Sequence, residues 1–110
     1  MKRWEVLREY FKYNSGWTLE KIEQRKRAGF TSKLEKEMCL YFEDVHRTLD
    51  PFIATLPPDF VQMHYEHYKQ GKQFSEYKNI VGTASKIERT NAKINRLVRS
   101  VKQSELIEQY

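Results

Sequence analysis

Cysteine is nearly absent from this 110-residue chain: Cys39 stands alone. One thiol cannot build an internal disulfide framework or a Cys-rich zinc site, and it fits a reducing compartment. Glycine and proline are scarce too, with four and three residues. A sheet with many tight turns needs more such breaks, so the count favours helices. No apolar run approaches the ~20 residues of a membrane-spanning helix, and the first residues lack the apolar stretch of a secretory leader. Repeats and low-complexity linkers are missing. So are a phosphate-binding glycine loop and a nucleophile motif. These gaps make an enzyme the least expected class. No cofactor, bound metal or membrane partner is expected, and the expected location is cytoplasmic.

What the chain does have is charge and aromatic rings. Charged residues make up 32% and aromatics 14%, against a hydrophobic fraction of only 39%. A chain of this length is expected to form one domain, with a small core resting on Trp, Phe and Tyr. The net charge of +5 favours an anionic partner without identifying it.

Apolar spacing predicts helices throughout. The first covers 2–13, with Trp4, Leu7 and Phe11 inward, and ends at Asn14-Ser15-Gly16. A second starts at Thr18, turns Leu19 and Ile22 inward and stops at Gly29. Ser32-Lys33-Leu34-Glu35 is a capping box that opens a third. Leu34, Met38, Tyr41, Val45 and Leu49 form its stripe, and Asp50-Pro51 should break or kink it. Pro58 suits the first turn of a fourth helix, closed by Gly71, with Val61, Tyr65 and Tyr68 inward. A short helix over 74–81 and a longer one over 84–103 flank a turn at Gly82-Thr83. In the last helix Ile87, Ile94, Leu97, Val98 and Val101 share one side. Ser85, Arg89, Ala92, Arg96, Arg99 and Gln103 share the other.

The expected fold is therefore all-α, a small domain of five to six helices with a C-terminal helix-turn-helix. Residues 1–56 complete the core and meet protein partners, and 57–110 form the DNA-binding region. Leu34, Met38, Tyr41, Val45, Ile80, Ile87, Ile94 and Val98 should be buried.

The last helix carries the functional signal. Between Lys78 and Lys102 seven basic residues face the single acid Glu88, a net of +6 that exceeds the whole chain's +5. Like charges on one helix repel, and an anionic surface relieves them. Arg meets phosphate or a guanine edge through two parallel bonds. A short helix, a glycine turn and a basic helix also make helix-turn-helix order. The expected DNA contacts are Thr83, Ser85, Lys86, Arg89, Lys93, Arg96 and Arg99. Ser85, Lys86 and Arg89 lie near the start, where bases are read. Lys93, Arg96 and Arg99 suit the phosphate backbone, and Asn91 and Asn95 offer smaller polar contacts. The plainer reading is a solvated basic face with no ligand, and spacing alone does not choose between them.

The segment from Val45 to Val101 resembles region 4 of bacterial sigma factors. More closely, it resembles small phage late-transcription activators of the RinA/ArpU (LtrC-like) type. The matching residues are Leu49, Leu56-Pro57-Pro58, Tyr65 to Gly71, Tyr77, Ile80, Val81-Gly82, Ile87 and Arg89. About half the chain is covered. The family turn has Gly, an apolar residue and Ser, whereas here Gly82 leads straight to Thr83. Glu76 stands near the family's acidic position in the preceding helix. The resemblance implies a sequence-specific regulator in a bacterial host cell, activating phage late genes with host RNA polymerase. A homodimer or an inhibitory protein partner also fits it. Two rivals stay open: a helical adaptor or inhibitor without DNA affinity, and a DNA-packaging protein like a small terminase subunit.

Other residues point less far. His64 and His67, three apart, read as core-edge histidines, because a metal needs more convergent ligands. Cys39 reads as a buried thiol. Tyr10, Phe11, Tyr13 and Trp17 read as core or as an interaction patch. Glu43-Asp44 reads as a solvated acidic turn.

Overall fold

The computed structural model describes residues 1–12, 15–77 and 84–110, without the side chains of Lys69 and Ala84. Six α-helices follow in order: α1 Arg3–Phe11, α2 Leu19–Ala28, α3 Lys33–Ile53, α4 Pro58–Gln70, α5 Ala84–Ser100 and α6 Glu105–Glu108. A 3₁₀ turn, Phe74–Tyr77, lies between α4 and α5. The described residues contain no strand. No described helix is long and apolar enough to cross a membrane.

Local chemistry sets most boundaries. Thr18 caps α2 by accepting from the Lys21 N–H at 3.2 Å. Gly29, at φ 85°, ends that helix in a conformation that side chains resist. Ser32 caps α3 by accepting from Glu35 N–H at 3.0 Å. The reciprocal half of the expected box is displaced by one residue: Glu35 accepts from Thr31 N–H (3.3 Å) and Thr31 Oγ1–H (2.8 Å). Pro58 opens α4, and Gly71 closes it in the left-handed region.

Several details depart from the sequence reading. α3 runs two residues past Pro51 and ends at Ile53. Pro51 lies in the last turn, where it forfeits one bond, and Phe52 and Ile53 beyond it still pack on the core. In α1 the inward side chains are Val6, Leu7 and Phe11, while Trp4 is 54% exposed with Arg8 over its ring. Leu19, in the first turn of α2, is 50% exposed, and only Ile22 of that helix is buried. α4 buries Phe60, Met63 and His64; Tyr68 packs half-buried on the core as expected, whereas Val61 is only half-buried and Tyr65 is exposed. α5 stops at Ser100, and Ser104 caps the unexpected short α6, whose Ile107 is buried. The expected helix over 74–81 is described only as far as Tyr77. Tyr13, Asn14, Ile80, Val81, Gly82 and Thr83 lie outside the described residues.

The described buried side chains form two clusters. The larger joins α1, α2, α3, α6 and the second half of α5, with Phe11, Phe42, Val45, Leu49, Ile94, Val98 and Ile107 among its members. Leu34 packs on it half-buried. The smaller contains Phe60, Met63, Tyr77 and Ile87. Two centres instead of one lengthen the molecule: its radius of gyration is 14.8 Å, against roughly 13 Å for a sphere-like domain of this size.

Candidate nucleic-acid interface

α5 forms because nothing in it opposes a helix. It has no Gly or Pro, and Lys86, Glu88, Arg89, Ala92, Lys93, Arg96 and Leu97 are all good helix formers. Ile87, Ile94 and Val98 are buried, which fixes the helix's rotation about its axis. Its first half meets the small cluster and its second half the large one.

One further contact holds the first half of α5. His64 is buried, with Nδ1–H donating to the Phe60 carbonyl at 2.7 Å. Its Nε2 lies 2.8 Å from Oδ1 of Asn91 in α5. Burial pulls the His64 pKa down, so the ring is neutral at pH 7. Its Nε2 is then an acceptor, and the contact works when Asn91 presents its NH₂ group. Asn91 is thus occupied inside the fold rather than offered to a ligand. Asn95 Nδ2 donates to the Asn91 carbonyl at 2.9 Å, so it is engaged locally too. Nearby, the Tyr77 hydroxyl donates to Glu66 and ties the 3₁₀ turn to α4. That bond holds the Glu66 carboxyl below the usual carboxylate range, while desolvation, followed by the same bond, pushes Tyr77 up to about 12.

With the back of α5 anchored, its front is defined. Ser85, Arg89, Ala92, Arg96 and Arg99 are all exposed. At 100° per residue they fall within a stripe roughly 80° wide, and from Ser85 to Arg99 it runs roughly 21 Å. Arg89, Arg96 and Arg99 form no ion pair with any described residue. Elsewhere cations do find carboxylates: Lys26 pairs with Glu43, Arg25 with Glu35, Arg47 with Asp44 and Lys72 with Glu66.

The two lysines stand apart from this ridge. Lys86 and Lys93 sit on its flank and are exposed. The Lys86 ammonium lies 5.7 Å from the Phe60 ring, and that of Lys93 lies 4.9 Å from Phe52. Both lean toward the end of α3 and the start of α4. The expected contact set therefore divides into an arginine ridge, a lysine flank, and Thr83, which lies outside the described residues.

The remaining candidates settle into structural roles. His67 stacks on Phe74 at 3.9 Å between ring centres. Cys39 is buried, and desolvation raises its pKa, which leaves the thiol unreactive. Glu43 and Asp44 are the ion-pair partners just named. His46, Asp50, Tyr10 and the Trp17 carbonyl form a hydrogen-bonded group that sequence reasoning missed. The spacing of His46 and Asp50, four apart on α3, could have indicated half of it. Comparison with known proteins gives no matching family model, no matching curated protein and no matching solved structure.

Proposed function

We propose that the chain is a double-stranded DNA-binding transcription regulator that lays α5 in the major groove. The arginine ridge carries this reading: Arg89, Arg96 and Arg99 are exposed, aligned and without carboxylate partners among the described residues. An adaptor with no anionic ligand gains nothing from unrelieved repulsion along one helix. A major groove about 12 Å wide admits a helix of about that diameter. In this reading Ser85, Lys86 and Arg89 lie toward base edges, with Thr83 before them. Lys93, Arg96 and Arg99 neutralise phosphates.

The resemblance to phage late-gene activators narrows the proposal to an activator acting with host RNA polymerase. The exposed Trp4 supplies an apolar contact for polymerase or for a second copy. Selecting duplexes from a random library identifies the operator. Fluorescence anisotropy across a salt series then tests the contacts. Each phosphate contact adds roughly −0.9 to the slope of log affinity against log salt. Arg96→Ala or Arg99→Ala should weaken binding to every duplex and flatten the slope by about one unit. Arg89→Ala should cost about 1–3 kcal/mol, mainly on the selected site. A folded Arg89→Ala/Arg96→Ala variant that binds with unchanged affinity and salt dependence would refute the proposal.

A further inference from the structure

The arginine ridge runs into a cleft. Arg99, its last member, also lines a cavity of about 430 Å³ together with Arg3, Tyr41, Lys102, Gln103 and Glu108. Arg3 comes from α1 at the opposite end of the chain. Arg3, Arg99 and Lys102 are exposed, and none is ion-paired with a described residue. Glu108 is the one acid on the wall. The negative end of α5 accounts for cations at positions 99 and 102, but not for a third arriving from another helix.

Tyr41 adds an independent sign. It is only 4% exposed, yet it lines this cavity. Gln103 Nε2 donates to the Tyr41 oxygen at 3.4 Å. The phenol's own hydrogen has no acceptor among the described residues. Burial raises the Tyr41 pKa, so that hydrogen stays in place at neutral pH. Three cations and a fixed O–H donor around one cavity suit a ligand with several anionic oxygens.

We propose that this cleft is a phosphate seat in which Arg3, Arg99, Lys102 and the Tyr41 hydroxyl hold a phosphoryl group. Resting on the reading above, that group is a backbone phosphate of the duplex beside the groove that α5 enters. The seat extends the DNA track beyond the recognition helix and makes α1 part of it. A free phosphate ester is the other source of the same chemistry.

The test uses the full chain and an Arg3→Ala/Lys102→Ala variant, with circular dichroism and melting to show that it folds. Tyr41→Phe is a second, milder variant. Duplex binding is read across a salt series, and ATP binding by calorimetry. The expected result is weaker binding of all duplexes by the double variant, with a slope flatter by about one unit, and no ATP binding by the wild type. Glu108→Gln should tighten duplex binding. ATP binding that the double variant loses, with the duplex slope unchanged, would keep the phosphate seat but overturn its assignment to DNA. Wild-type duplex binding with an unchanged slope and no ATP binding would overturn the seat and leave the proposed function standing. A wild type that binds ATP but no duplex would overturn the proposed function and keep the seat.

Discussion

The two clusters differ in how they are closed. The large one gathers thirteen described buried residues from five helices, and nearly all of them are hydrocarbon or aromatic. The small one has four, Phe60, Met63, Tyr77 and Ile87, and it is edged by polar links: His64 to Asn91, and Tyr77 to Glu66. Apolar burial is non-directional and scales with area. Hydrogen bonds add little net stability but fix geometry. The large cluster therefore supplies stability, and the small one sets the position of the start of α5.

Truncations on α5 itself give the largest test of this division. Ile94→Ala, in the large cluster, should destabilise by about 2–5 kcal/mol. Ile87→Ala should fall at the low end of that range, because a small, polar-edged cluster collapses more easily around a void. Urea denaturation measures both. Equal costs would erase the distinction, and a negligible cost for Ile94 would remove it from the stabilising core.

A smaller effect is expected at the polar edge. Asn91→Ala leaves His64 Nε2 buried without a partner and should cost about 1–3 kcal/mol. Hydrogen exchange should show the loss concentrated in α4 and the first turns of α5. Protection lost uniformly across α3 would instead make Asn91 part of the main core.

The pH dependence sharpens the same point. The folded chain resists protonation of His64, whose pKa lies below its ordinary value near 6.5. The unfolded chain takes up that proton near 6.5. Stability present above that pH should be lost as pH falls from 6.5 through the lower folded value. Urea midpoints between pH 7.5 and 5 should show the decline, and His64→Gln should flatten it. An identical decline in that variant would assign the effect to another group.

The smallest effect belongs to the ridge. Arg89→Ala/Arg96→Ala should change stability by no more than about 0.5 kcal/mol, since neither side chain touches a cluster. A larger loss on thermal melting would show that the ridge is structural.

Legibility from sequence followed the physics of each element. Ser32, Pro58, Gly29 and Gly71 act through their own backbone, so their roles could be read locally. The rotation of α5 was readable because its apolar and basic sides are cleanly opposed. α4 was not, because its Tyr and His residues each have an apolar body and a polar tip. Its inward side was decided by Phe60 and Met63 and by the Asn91 partner of His64, a contact across 27 residues. Trp4 misled by its size: it lies at the edge of the inward side, with Arg8 rather than the core against its ring. α6 is four residues long, too short to show a period. Within the site, exposure of the arginines was readable. The lean of Lys86 and Lys93 toward Phe60 and Phe52 was not, nor was the presence of Arg3 and Arg99 on one cavity.

Because α5 belongs to both clusters, the molecule resists division. A cut near residue 57 would leave Ile94, Val98 and Ile107 without the α1 and α3 side chains that cover them. The segment that carries the ridge is therefore no portable module. Recombination that moves it into another gene has to bring α1 and α3 along, and a fusion protein that is to keep the ridge needs the whole chain as its cassette.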